Sequence, residues 1–162
     1  MKLQYVVLLT GSNIGNSKAF LALAKNFIFK NIGKVHKVSA VYKTAAWGKQ
    51  DQAPFLNQVI IAKTTLLPQQ VLAQIQVVEN LAQRERTTQY AARTLDVDIL
   101  FYSSQIINET NLIIPHPHIP ARRFALQPLV EIMPTYIHPV LQLTMEALLL
   151  HCNDNLMVEK LG

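Results

Sequence analysis

Gly48-Lys49-Gln50-Asp51-Gln52-Ala53-Pro54-Phe55-Leu56-Asn57-Gln58-Val59-Ile60-Ile61-Ala62-Lys63 decides the architecture. From Phe55 to Lys63 the residues alternate as they do in a strand, where successive side chains point to opposite faces. Phe55, Asn57, Val59 and Ile61 share one face, and Leu56, Gln58 and Ile60 share the other. Before this strand, Gly48 to Pro54 reads as a loop, and before the loop Val35 to Trp47 reads as a long strand with polar interruptions. A parallel partner would need a crossover of a dozen or more residues, usually a helix. The loop is too short for one, which argues against a parallel doubly wound sheet.

Leu3 to Thr10 reads as a first strand, broken by Gly11-Ser12-Asn13-Ile14-Gly15-Asn16. Ser17 is the expected cap of a helix whose Phe20, Leu23, Ala24, Phe27 and Ile28 keep helical spacing, and Gly33 ends it. Pro68 suits the first turn of a second helix. Its apolar stripe is Val71, Leu72, Ile75, Val78 and Ala82, and its polar stripe is Gln76, Glu79 and Gln83. A basic loop, 84–92, leads into a last core strand. Ile106 to Ile114 is expected to form a short extra strand or hairpin, Pro115 to Pro120 a loop, and Phe124 to Met133 and Leu141 to His151 helices. The order is β-α-β-β-α-β with C-terminal additions. That pattern predicts a ferredoxin-like α+β sandwich, with helices on one face of an antiparallel sheet and the other face free to carry a site.

At 162 residues the chain is expected to form a single domain, 1–162. Half of its residues are apolar, ample for a core, and 15% are charged, so charges that cluster call for a reason. The net charge of +5 suits an anionic ligand. One cysteine, Cys152, excludes an intrachain disulfide and fits a reducing cytoplasmic setting. The N-terminal apolar run is too short for a signal peptide, and no stretch reaches membrane-spanning length.

Three clusters carry the candidate chemistry. In Arg93-Thr94-Leu95-Asp96-Val97-Asp98-Ile99-Leu100-Phe101-Tyr102, Asp96 and Asp98 share a face while Leu95, Val97, Ile99 and Phe101 fill the opposite one. Two like charges this close repel unless a cation lies between them, and hard oxygen ligands favour Mg²⁺ over Zn²⁺. Taken alone, the pair reads more readily as two exposed carboxylates on a wet edge. Arg84, Arg86 and Arg93 place three arginines within ten residues, just before the carboxylates. Arginine makes forked contacts with phosphate. His116, His118, Arg122 and Arg123 form the third cluster; with no cysteine near, phosphate contact suits it better than zinc. Phe55 and Asn57 could bind a flat heterocycle, the ring by stacking and the amide by paired donor and acceptor. Gly11 to Gly15 lacks both the P-loop and the dinucleotide glycine patterns, and a tight turn is its better reading.

Together these residues resemble the 6-hydroxymethyl-7,8-dihydropterin pyrophosphokinase family of the folate pathway. The similarity runs over nearly the whole chain. It rests on Gly11-Ser12-Asn13, Thr44 through Gly48, Phe55-Leu56-Asn57, Arg84-Glu85-Arg86, the run from Arg93 to Leu100, Pro115-His116-Pro117, Arg122, Phe124, Pro128-Leu129 and Glu131-Ile132. The resemblance implies a ferredoxin-like core and transfer of diphosphate from ATP to the pterin hydroxymethyl oxygen, with release of AMP. It implies two Mg²⁺ ions on Asp96 and Asp98. Arg84 and Arg93 would act on the polyphosphate together with His116 and Arg122. Gln76, Glu79, Arg86, Tyr90 and Ile99 complete the implied nucleotide site. Phe55 and Phe124 would sandwich the pterin, Asn57 would pair with its polar edge, and Thr44, Ala45, Trp47 and Asp96 would also border it. The implied protein is a cytoplasmic monomer that binds neither nucleic acid nor membrane.

The chain departs from the family pattern at Ala91-Ala92, where Gly-Pro is usual, and at Gln89, Tyr90 and Ala45, where Arg, Trp and Pro are common. A less pre-shaped closing loop and weaker nucleotide binding follow. One lost arginine-phosphate contact costs about 1.5–3 kcal/mol. The competing reading is a non-catalytic nucleotide- or RNA-binding module on the same fold. It lacks the clustered aromatics of an RNA-binding sheet, and paired carboxylates repel a phosphate backbone.

Overall fold

The computed structural model describes residues 2–45, 53–82 and 94–162. Strands β1 (Gln4–Ser12), β2 (Lys34–Val38), β3 (Val41–Thr44), β4 (Phe55–Thr64) and β5 (Asp96–Tyr102) build the sheet. Helices α1 (Ser17–Asn31) and α2 (Pro68–Ala82) make the two connections that cross between strands. A hairpin, β6 (Ile107–Glu109) and β7 (Leu112–Ile114), follows, then a 3-10 turn at Ile119–Ala121. Helices α3 (Arg123–Ile132) and α4 (Met145–Leu150) and strand β8 (Val158–Leu161) complete the described chain. The sheet order is β5-β1-β4-β3-β8, with β2 also on β4, and every pairing is antiparallel. This is the expected ferredoxin-like arrangement. Among the described residues no helix is long and apolar enough to cross a membrane.

The alternation in β4 sorts two cores. Ile60 and Ala62 join Val6, Leu8, Ile28 and Ile75 under α1 and α2. Val59 and Ile61 join Val7, Leu9, Leu126 and Met145 under α3 and α4. The second face is therefore not free as expected. Helix α3 has a strong apolar stripe of its own, Ala125, Leu126 and Leu129, and buries it there. Only the end of that face beyond the apolar patch is left for polar residues.

Several local expectations change. The strand beginning at Leu3 is not broken at Gly11, because Gly11 and Ser12 still pair with Asn57 and Leu56. The cap of α1 is Asn16, not Ser17: its side-chain oxygen accepts the Ala19 N–H at 3.1 Å, while the Ser17 hydroxyl accepts from Ser12. Gly33 does more than end the helix, since a Cβ there would lie 2.0 Å from the Lys63 carbonyl oxygen. The strand from Val35 divides into β2 and β3. Paired residue numbers sum to 98 at Val38 and Ile60 but to 99 at Tyr42 and Asn57, so one extra residue bulges between them. Ser39 secures the bulge, its hydroxyl accepting the Val59 N–H at 2.9 Å.

A second bulge corrects the face of Phe101. Leu8 pairs with Ile99 but Val7 with Phe101, so Leu100 is the extra residue. Leu95, Val97 and Ile99 stay under α2, while Phe101 crosses to the face of Asp96 and Asp98. The last helix begins at Met145 rather than Leu141, because His138 turns the chain first. Its Nδ1 accepts the N–H groups of Val140 and Leu141, and Thr144 then caps α4. Strand β8 was not expected. Its Val-Glu-Lys-Leu sequence is too short and charged to announce itself, yet it pairs with β3 from Val41 to Thr44.

Candidate functional site

Register places the site. Asp96 lies opposite Gly11 on β1, Gly11 opposite Asn57 on β4, and Asn57 opposite Tyr42 on β3. Directly opposed residues share a face. Two positions along each strand, Asp98 and Thr44 with Phe55 fall on that face too. The carboxylates and the aromatic-amide pair thus occupy one surface, at the end of the sheet that α3 and α4 leave uncovered.

Gly11 keeps the middle of this surface low. A Cβ on it would lie 2.6 Å from Asn57 Oδ1 and 3.7 Å from a ring carbon of Phe55. Asn57 itself is buried, and its Nδ2 donates to Thr44 Oγ1 at 2.6 Å. That bond turns the amide so that its oxygen faces the space over Gly11. Asn13 braces the neighbouring chain by donating to the Ala53 carbonyl at 2.9 Å. The Gly11-Ser12-Asn13 motif therefore supplies a floor and a brace.

At the other end of the row, Glu79 on α2 accepts the Val97 N–H at 2.9 Å, between the two aspartates. Strand β5 is a sheet edge there, and Glu79 satisfies an outward N–H that water would otherwise take. Burial pushes the Glu79 carboxyl up to about 7; the Val97 bond opposes this, and the nearby Asp96 and Asp98 reinforce it. The half-buried Glu79 carboxyl thus lies beside Asp96 and Asp98, and the two aspartates offer hard oxygens of the kind that suits a divalent ion such as Mg²⁺. Among the described residues no group of three or more His, Cys, Asp or Glu is arranged to hold a metal by itself. Magnesium commonly takes its remaining ligands from water and substrate phosphate.

Arg122 closes the site from the other side. Its guanidinium lies 5.5 Å from the centre of the Phe124 ring. Burial lowers its pKa, and the attraction of Asp98 and Asp96 works against that. Arg123 is turned away: its backbone N–H and its Nε both donate to Asp154. The Arg122-Arg123 pair therefore splits into one site residue and one structural residue. His116 is anchored to β5 by its N–H on the Leu100 carbonyl, and its Nδ1 accepts the His118 N–H at 3.2 Å. Burial, then Arg122 and His118, lower its pKa to about 4. It is thus a neutral ring whose proton sits on Nε2, and it can donate a hydrogen bond but adds no positive charge.

Gln76 is exposed on α2, Ala45 is held at the end of β3 by its N–H on the Met157 carbonyl, and Ile99 is buried under α2. Ile99 can offer only backbone to a ligand on the carboxylate face. Trp47, Arg84, Arg86, Tyr90 and Arg93, as well as Gln89 and Ala91-Ala92, lie outside the described residues. Glu131 on α3, not assigned to the site by its sequence, accepts hydrogen bonds from Ala40 and Tyr42. Its only sequence signal was membership of the Glu131-Ile132 motif.

Comparison with known proteins gives concordant results. The family model described as 7,8-dihydro-6-hydroxymethylpterin-pyrophosphokinase (HPPK) matches residues 7–134. The chain is similar to the 2-amino-4-hydroxy-6-hydroxymethyldihydropteridine pyrophosphokinase of Aquifex aeolicus, with 38% identity over 130 residues, covering 80% of this chain and 81% of that one. The enzyme of that name from Bacillus subtilis is 40% identical over 123 residues, 75% of this chain and 74% of that one. A crystal structure of wild-type Plasmodium falciparum HPPK-DHPS with pterin and p-hydroxybenzoate shares the fold, with a TM-score of 0.74 at 19% identity. The match covers 91% of this chain but 43% of that longer one.

Proposed function

The chain belongs to the 7,8-dihydro-6-hydroxymethylpterin-pyrophosphokinase family, and on that footing we propose how its residues divide the work. It transfers diphosphate from ATP to the hydroxymethyl group of 6-hydroxymethyl-7,8-dihydropterin, giving AMP and the pterin diphosphate, a step of folate biosynthesis. The observation that carries the assignment of roles is the row Asp96, Gly11, Asn57 across three strands, which sets a carboxylate corner and a heterocycle seat side by side.

Asp96 and Asp98 would hold magnesium, two ions in the full complex, and the metal would supply positive charge to the polyphosphate. The chain's own residues do the rest. Arg122, drawn toward the carboxylates, binds and orients the phosphates of ATP, together with Arg84, Arg86 and Arg93 from the basic segment. His116 Nε2–H donates to a phosphate oxygen. Because His116 is neutral, the charge that builds on the leaving side must be met by the arginines. Gln76, Glu79, Tyr90 and the Ile99 backbone border the nucleotide, and Glu79 also keeps β5 in place through Val97.

In the acceptor seat, Phe55 and Phe124 stack on the pterin. Asn57, with its nitrogen committed to Thr44, offers its oxygen to the ring's donor edge. Thr44, Ala45 and Trp47 contribute mainly backbone, and Asp96 reaches the border between seat and metal corner. The chain acts as one domain, as a cytoplasmic monomer, and needs no nucleic acid or membrane. A nucleotide- or RNA-binding module without chemistry is not favoured, since the family is named for its reaction. The test is product analysis: purified protein with ATP, Mg²⁺ and the hydroxymethyl pterin yields AMP, and chelation of the metal stops it. ADP as the product, or turnover indifferent to Mg²⁺, would refute the assignment.

A further inference from the structure

The Glu131-Ile132 motif is not used by the mechanism above, yet Glu131 makes a specific set of bonds. Both of its carboxylate oxygens lie 3.1 Å from the Ala40 nitrogen, and Oε1 accepts the Tyr42 hydroxyl at 2.7 Å. Ala40 sits in the bulge between β2 and β3, and Tyr42 is a buried β3 residue opposite Asn57. Glu131 therefore ties the C-terminal turn of α3 to the strand that carries Thr44.

Phe124 stands seven residues earlier on α3. Seven residues are about two turns, roughly 10 Å along the axis, so the two positions share a helix face. The backbone of α3 also has a missing rung. Pro128 has no N–H to give to the Phe124 carbonyl. The first turn of α3 thus lacks part of its own ladder, and besides the buried Ala125, Leu126 and Leu129 the helix is held by attachments at either end. Asp154 holds Arg123 at one end, and Ala40 with Tyr42 holds Glu131 at the other.

We propose that Glu131 is a positioning residue that sets the width of the acceptor seat, by fixing α3, and with it Phe124, relative to Thr44 and Asn57. The proposal rests on the pterin-seat reading above. Glu131 itself is exposed, so its removal opens no cavity, and Tyr42→Phe removes one hydroxyl while keeping the ring.

The test measures the KM for pterin and for ATP, and pterin binding by calorimetry with a non-hydrolysable ATP analogue, in Glu131→Ala and Tyr42→Phe. The expected result is a pterin KM and Kd raised about three- to tenfold, as for loss of one or two net hydrogen bonds, with the ATP KM unchanged. In a Phe124→Ala background the same substitutions should have no further effect on pterin binding, because their route of action is gone. Unchanged pterin constants, effects that add to those of Phe124→Ala, or equal rises in both KM values would overturn the proposal. If the unsubstituted chain bound no pterin, the seat itself would be refuted and this role with it.

Discussion

The two halves of the site are held by opposite means. The carboxylate corner, Asp96, Asp98 and Glu79, crowds acidic groups together at a sheet edge, and their proximity helps push the Glu79 carboxyl up to about 7. The heterocycle seat, Gly11, Thr44, Phe55 and Asn57, is neutral and, apart from the half-buried Phe55, buried, and its amide is placed by a bond to Thr44. The corner stores repulsion for a cation to relieve. The seat stores a shape. Damage to the first should cost chemistry and spare stability; damage to the second should cost acceptor recognition and spare the nucleotide.

The largest effect tests that division at the corner. Asp98→Asn should lower turnover by about a hundredfold or more while changing the melting temperature of the metal-free protein little, because relief of the repulsion from Glu79 is offset by the lost attraction to Arg122. Steady-state kinetics and thermal melts check both halves, and a clear loss of stability would break the contrast. Gly11→Ala comes next. Its Cβ would meet Asn57 Oδ1 at 2.6 Å, and overpacking of this kind costs about 1–3 kcal/mol. With that strain falling on the acceptor seat, the pterin KM should rise about fivefold to 150-fold, with the ATP KM little changed. Thr44→Val is milder: it strands the Asn57 Nδ2 donor, and titration calorimetry should find pterin binding weakened about tenfold. A rise confined to the ATP constant in either variant would reverse the assignment of halves.

The smallest effect concerns pH. Burial lowers the pKa of both His116 and His138, that of His116 to about 4 from 6.5. A histidine depressed in the folded state binds protons more readily when unfolded. Stability is therefore complete above about 6.5 and falls as the pH drops from there toward about 4. Melts between pH 7 and 4 should show this slope, and His116→Gln should flatten it. An unchanged slope in that variant would mean that the ring is not held neutral in the fold.

Much of this was legible because it is local. The alternation of Phe55 to Lys63 gave a strand with the correct two faces, and the spacing of Asp96 and Asp98 put both on one side of β5. The spacing of Val71, Ile75, Val78 and Ala82 gave α2 its buried stripe. What failed depends on distant partners. Leu100 adds one residue to β5, and no sequence pattern marks a bulge that only pairing with β1 creates, so Phe101 was assigned to the wrong face. Strand β8 exists because β3 offers it an edge.

The chain's residue types and spacing were enough to point to its class of chemistry: paired carboxylates, clustered arginines, an aromatic-amide pair, and an element order that argues against a parallel doubly wound sheet. Tertiary structure decided which of those groups meet. It separated Arg122 from Arg123, made His116 a neutral donor, brought Glu79 against Val97, and turned the Asn57 amide through Thr44. Spacing along a strand sets which face a side chain takes, and short-range geometry suffices for that. Burial and amide orientation depend on neighbours from other strands and helices, and those neighbours arrive only when the sheet closes.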